Sequence, residues 1–220
     1  MPASRNREGG PGPDIGLAPG DLGTLQAFVN TLDIEEGTDA LGSPADLDAW
    51  LRDAGLAVDC GDPAGQRELE LALELREALR DVLRSHVTRP NSTKRRSQNA
   101  DPDAFDAGDG KAAVTASAAA ARVADVAAAM RTGINVDAAG RIVVVPAGPG
   151  ATAALTRLLL IGAEATTAGT WTRLKVCSAD DCRWAFYDRS PTHTGCWCSM
   201  QICGSRAKSR AYRSRIARAG

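Results

Sequence analysis

The sequence predicts a mainly α-helical chain: a helical N-terminal domain with one small β-hairpin, then a compact C-terminal unit ending in a basic helix. Three observations point there. Leu- and Ala-rich segments repeat apolar residues at three- and four-residue spacing, which marks amphipathic helices. Two short Ile/Val runs bracket an Asp-to-Gly turn, which marks a hairpin. Four of the six cysteines form two matched pairs just ahead of an Arg-rich end.

Residues 1–15 are charged and rich in Gly and Pro, and are expected to be disordered. Leu22, Leu25, Val29 and Leu32 predict a first helix over roughly 20–32. Asp33 to Gly42 is acidic and turn-rich. Ser43 is placed to cap a second helix and Pro44 suits its first position; the helix should reach Leu51 and stop near Gly55. A long helix over about 64–87 follows. Leu71, Leu75, Ala78 and Val82 form its apolar stripe and Leu79 and Leu83 widen it, while Glu70, Glu74, Arg80 and Arg84 are expected on its exposed side. Arg89 to Gly110 reads as a loop, with Lys94, Arg95 and Arg96 as a solvated cluster. An Ala-rich helix over 112–131 has the small side chains of a helix buried or lying between subunits. Ile134–Val136 and Ile142–Val145 bracket Asp137–Gly140 as the hairpin, and a last body helix runs over 151–168 to Gly169.

Net charge is −1 over 220 residues, which by itself names no partner. Its distribution says more. Residues 171–220 hold ten Lys or Arg and three Asp, a balance of +7, so the first 170 carry −8. An acidic body with a basic end meets a polyanion through that end. The start of the chain carries no apolar segment of the signal-peptide kind. The aliphatic run Leu158–Ile161 is too short to span a bilayer. A cytoplasmic protein is therefore expected, with no membrane partner. In that reducing compartment clustered cysteines read as a metal site more readily than as disulfides.

Cys177 and Cys182 are separated by four residues, as are Cys198 and Cys203, and fifteen residues lie between the pairs. Four thiolates about 2.3 Å from a tetrahedral zinc, two from each of two tight turns, fit that pattern. One structural Zn2+ is thus expected on Cys177, Cys182, Cys198 and Cys203. Cys196 would give an unequal second pair and is set aside as a neighbour; Cys60 is a distant thiol, and His193 falls in a turn. Leu174–Val176 leads into the first turn, Arg183–Tyr187 alternates as a strand, and 189–195 is expected to turn the chain back to Trp197 and Cys198. Ser199 is placed to cap a helix carrying Cys203. Turn, hairpin, then helix is a treble-clef-like order. Such a unit is too small for its own core, so zinc must supply much of its stability, with Trp184, Phe186 and Trp197 wrapped around the site.

The end of the chain carries Arg206, Lys208, Arg210, Arg213, Arg215 and Arg218 with no acid. On a helix, Arg206, Arg210 and Arg213 fall within an arc of about 60°. Tyr212 and Ile216 form a neighbouring apolar stripe suited to packing on the metal unit. Phosphate contacts would neutralise this charge and make affinity salt-dependent, and an arginine can also read guanine. The candidate DNA contacts are Arg206, Lys208, Arg210, Arg213 and Arg215, with Arg183 beside the first cysteine pair.

The stretches Cys182-Arg183-Trp184-Ala185-Phe186-Tyr187-Asp188, Trp197-Cys198-Ser199-Met200 and Cys203-Gly204-Ser205-Arg206-Ala207-Lys208 closely resemble the CGNR zinc-finger family. Phe28-Val29-Asn30-Thr31-Leu32-Asp33 and Ser43-Pro44-Ala45-Asp46-Leu47 resemble the ABATE domain of stress-induced transcription regulators, the usual N-terminal partner of that finger. The resemblance implies a bacterial transcription regulator. Residues 16–170 would be its regulatory or dimerisation domain, and 171–220 its DNA-binding zinc finger. It assigns the same four cysteines as ligands. The family's Cys-Gly-Asn-Arg signature reads Cys203-Gly204-Ser205-Arg206 here, so any contact specific to Asn is lost. A homodimer and a small-molecule effector of the N-terminal domain are further expectations. The alternative is a zinc-dependent protein-interaction adaptor whose basic helix docks acidic partners. An enzyme is not expected: four cysteines close the metal shell, and Pro146–Gly150 lacks the Lys-Ser/Thr of a phosphate loop.

Overall fold

The computed structural model describes residues 16–56, 63–87 and 116–219. The segment 1–15, Cys60 and the 89–110 loop with its basic cluster lie outside the described residues. About 53% of the described residues are helical, so the mainly α reading holds. In chain order the elements are α1 (Leu22–Val29), β1 (Leu32–Asp33), β2 (Thr38–Asp39), α2 (Pro44–Asp53), α3 (Gln66–Ser85), α4 (Ala116–Ala127), β3 (Thr132–Val136), β4 (Ile142–Pro146), α5 (Gly150–Thr167), β5 (Leu174–Val176), β6 (Ala185–Tyr187) and α6 (Ser205–Ala219). The strands form three separate antiparallel pairs, β1–β2, β3–β4 and β5–β6.

Local chemistry accounts for the boundaries. Ser43 Oγ accepts the Asp46 N–H at 3.2 Å, and Pro44 occupies the first turn of α2. The helix ends at Asp53 with Ala54 as its cap, just before Gly55, which takes φ +68°. At the start of α3 the Glu68 carboxylate accepts the Gly65 N–H at 2.9 Å. The Asp48 carboxylate, from α2, accepts the Ala64 N–H and so ties the two helices together.

α1 is shorter than its periodicity predicts. It closes at Asn30, and Leu32, read as its last apolar residue, instead begins a two-residue strand. The cause is tertiary. Asn30 turns its side chain onto β6, giving Nδ2–H to the Ala185 carbonyl at 2.9 Å and accepting the Ala185 N–H at 2.7 Å. Beyond it, the β1–β2 pair carries Asp39 to Arg76 of α3, whose guanidinium grips both carboxylate oxygens at 2.7 and 2.8 Å.

α3 is the spine of the molecule, in contact with α1, α2, α4, α5 and β5. Its apolar stripe is buried through Leu69, Ala72, Leu75, Leu79 and Leu83. Arg76 and Arg80 are buried too, which corrects the expectation that Arg80 lies on the exposed side. Arg80 donates from Nη2 to the Val29 carbonyl at 2.6 Å and from Nη1 to the Arg183 carbonyl at 3.3 Å, and its Nε lies 3.3 Å from Glu77. A long arginine crosses a core when backbone carbonyls await its head.

α4 packs on α3 through Ala119 and Val126, and Arg122 pairs with Asp81. Several of its other alanines are exposed, so one face of this helix is buried and not the whole. The β3–β4 hairpin forms where it is expected, and its register sets Ile134 opposite Val144. α5 lies against α1 and the hairpin and buries Leu155, Leu158 and Ile161. The same hydrophobic core continues into Leu174, Val176 and Ala185. The apolar interior therefore crosses position 170, and the first half of the cysteine unit is built on it.

Candidate metal centre and basic helix

β5 ends at Val176, so Cys177 begins the loop that joins the strand pair. Its N–H is given to the Trp184 carbonyl at 2.9 Å, and Cys182 N–H and Arg183 N–H both reach the Ala179 carbonyl at 3.0 Å. Arg183 holds φ +50°, the left-handed turn that brings the chain back into β6. The result is a tight loop between two paired strands with a thiol at each shoulder. The sequence placed the return of strand 183–187 ahead, at 189–195. In the structure the strand returns to 174–176 instead, with Leu174 opposite Tyr187 and Val176 opposite Ala185.

A buried ion pair sets the path to the second cysteine pair. Lys175 and Asp188 meet at 2.7 Å with both side chains almost wholly out of water. The ammonium also donates to the carbonyls of His193 and Gly195, at 2.6 and 3.3 Å. The carboxylate accepts the N–H groups of Ser190 and Gly195 at 2.9 and 2.8 Å. Burial pushes the Asp188 carboxyl up, but the Lys175 ammonium and the Ser190 and Gly195 donors outweigh it and hold it far below the usual range. Gly195 has to be glycine at this point: a Cβ there would sit 2.9 Å from the Asp188 carboxyl carbon. The loop then passes Cys196, whose carbonyl accepts the Ser178 N–H at 2.9 Å, and reaches Cys198.

Ser199 caps the next element, its Oγ accepting the Ile202 N–H at 3.3 Å. That element, Met200–Gly204, is a π-helical turn, with Gly204 N–H bonded to the Ser199 carbonyl at 3.1 Å. It carries Cys203 and runs directly into α6.

The four sulfurs of Cys177, Cys182, Cys198 and Cys203 lie within 4.8 Å of one another. Cys198 Sγ is 3.7 Å from both Cys182 Sγ and Cys203 Sγ. A tetrahedron of thiolates about 2.3 Å from zinc has edges of about 3.8 Å, so the spacing is that of a metal shell. Three of the four residues are buried and Cys198 is half-buried. The electrostatics agree. Hydrogen bonds from Cys177 and Cys198 push the Cys182 thiol down to about 2, while the same contacts push Cys177 and Cys198 up. Thiols this close cannot all ionise without a cation among them. Trp184, Trp197 and Ile202 pack on the cluster with Ala179. Phe186 does not; it is buried opposite Lys175 in the strand pair. Cys196 and His193 stand outside the cluster. His193, at φ +53°, serves the loop through its carbonyl.

α6 projects from this centre. Ala207 is buried, but every residue from Tyr212 to Ala217 is exposed. Tyr212 and Ile216 are 58% and 57% exposed, so the stripe expected to pack on the metal unit faces water. The Arg215 guanidinium lies 5.7 Å from the Tyr212 ring centroid. The basic arc is divided. Arg206 pairs with Glu35 at 2.8 Å and Arg210 with Asp181 at 3.3 Å. Lys208 and Arg213 are exposed, with no ion-pair partner among the described residues. Arg183 lies at the rim, 3.8 Å from Asp180, and Arg84 of α3 reaches the same carboxylate at 2.9 Å.

Against known families, a model described as "Putative stress-induced transcription regulator", ABATE, matches residues 24–194, well over half of the chain. The chain belongs to the ABATE family. Its C-terminal part, residues 173–216, matches the CGNR zinc finger. No curated protein matches the chain. This ABATE chain thus carries a CGNR finger with a four-cysteine structural zinc centre. The two family matches overlap over residues 173–194, the stretch that contributes β5, β6 and the Lys175–Asp188 loop. Sequence reasoning missed that ion pair, the two buried arginines of α3 and the acids that meet α6. A lysine thirteen residues from an aspartate leaves no periodic trace.

Proposed function

We propose that this ABATE-family regulator binds DNA through α6, held in place by the zinc centre, and acts in the bacterial cytoplasm without catalytic activity. One observation carries the reading: a cation-rich helix begins at a metal-ligating turn and leaves the body after Ala211. A fixed rod with Lys208, Arg213 and Arg215 exposed has the form that reaches a phosphate backbone or a major groove. Four cysteines around one ion leave no open coordination position for chemistry. A small-molecule effector of the helical domain would act by changing how that rod is held.

The ion pairs of Arg206 and Arg210 with Glu35 and Asp181 favour a second reading, an adaptor whose helix docks acidic protein surfaces. Fluorescence anisotropy with a random-sequence duplex separates the two. The Lys208→Ala/Arg213→Ala variant should bind more weakly than wild type. Its plot of log affinity against log salt should flatten by about 0.9 per lost phosphate contact. Equal affinities and equal slopes would refute DNA binding through this helix.

A further inference from the structure

The β3–β4 hairpin has two unlike faces. Val143 and Val145 of β4 are half-buried, and β4 lies against α5. The other face is turned to water. It is made of the cross-strand pairs Ile134–Val144 and Val136–Ile142, with Thr132–Pro146 at its base. Ile134 is 80% exposed, Ile142 77%, Val136 60% and Val144 50%. These four account for half of the large exposed hydrophobic side chains among the described residues. They present on the order of 500 Å² of aliphatic surface, at the upper end of what a monomeric protein leaves in water.

The face carries no charge. Asp137 and Arg141 sit at the tip of the ribbon and are satisfied by each other at 2.7 Å. Exposed ribbons are ordinarily guarded against association by lysines or inward charges; this one is not. A two-stranded ribbon is also marginal on its own and gains most from a third layer.

We propose that this face is the dimer interface of the protein, covered by the same face of a second copy. The surface is self-complementary: flat, β-branched, uncharged, and built of two cross-strand pairs that a twofold axis lays against one another about 10 Å apart. A nucleic acid or an acidic peptide finds no cation on it. Two such faces with their flanking ribbon edges bury about 1,000–1,200 Å², where specific interfaces begin. The expected dimer is therefore weak to moderate, with a dissociation constant in the micromolar range. The proposal does not rest on DNA binding.

Sedimentation equilibrium of the zinc-loaded full chain tests it. Wild type is expected to dimerise, and Ile134→Glu and Ile142→Glu to be monomers with unchanged helical circular dichroism and zinc content. Ile142→Thr keeps the β-branch and the fold, and should weaken association about tenfold. A wild-type monomer at ~100 µM, a larger assembly, or variants that associate as tightly as wild type would overturn the assignment.

Discussion

Asp188 and Lys175 are the residues on which the second half of the zinc centre depends. Each is buried, and each satisfies the other as well as the loop that delivers Cys198. Removing one partner strands the other charge in the interior, at a cost of about 3–5 kcal/mol. Asp188→Ala should therefore lower stability by that amount in zinc-saturated urea unfolding, far more than loss of the exposed Arg157–Asp21 pair. A loss under about 1 kcal/mol would show that the ion pair does not hold the loop. At this scale the sequence was legible where chemistry is local. Ser43 and Ser199 cap as their positions imply, and the cysteine spacing fits the cluster that forms. It was opaque where partners are remote. An arginine on a helix beside acids such as Glu77 and Asp81 reads as solvated, yet Arg80 ends on carbonyls from Val29 and Arg183, distant in sequence.

Among the elements, α6 departs furthest from its pattern. Periodicity located an apolar stripe at Tyr212 and Ile216, but periodicity says only where such a stripe lies, not whether anything covers it. The body ends too soon to meet it. The arc of Arg206 and Arg210 was legible as charge, whereas the acids that meet it were not, since Glu35 lies in a segment read as turn. Burial does not hold Arg206; the Glu35 carboxylate beside it raises its affinity for a proton, and a phosphate would have to displace that carboxylate. Glu35→Gln should therefore tighten duplex binding a few-fold at low salt, with Arg206→Ala acting in the opposite direction. Anisotropy titrations of the two variants check this. Unchanged affinity in Glu35→Gln would mean that the Glu35 contact does not compete with DNA. The hairpin was the best-read element, because alternation and an Asp-to-Gly turn specify register locally.

At the scale of the whole molecule, the strand pair that leads to the first two cysteines is built into the body's core, next to a separate small cluster around the sulfurs. Leu174, Val176 and Ala185 belong to the core that α1, α3 and α5 enclose. His86 at the end of α3 meets the Leu174 carbonyl at 2.9 Å, and Arg84 reaches Asp180 across from the cysteine turn. A change in composition near residue 170 marked where charge turns basic, and charge is a surface property that does not report where a core stops. The coupling has a thermodynamic signature. Calorimetry of the holoprotein should show one transition, and stripping zinc with a strong chelator should shift all of it to lower temperature. Binding worth about 10–16 kcal/mol in isolated zinc peptides would here stabilise both halves. Two transitions, with only the smaller sensitive to chelator, would show that the halves melt independently.

The π-helical turn at Met200–Gly204 gives the terminal helix a fixed phase as well as a fixed origin. Cys203 is clamped and the winding continues unbroken, so the compass bearing of each later side chain follows from its count beyond that sulfur. Excising Ser205 alone would swing every subsequent cation by about 100° around the axis. Arg206 would turn away from Glu35 and Arg213 would point in a new direction, with composition and charge otherwise intact. Spacing from the anchor, more than the number of arginines, decides what the rod presents.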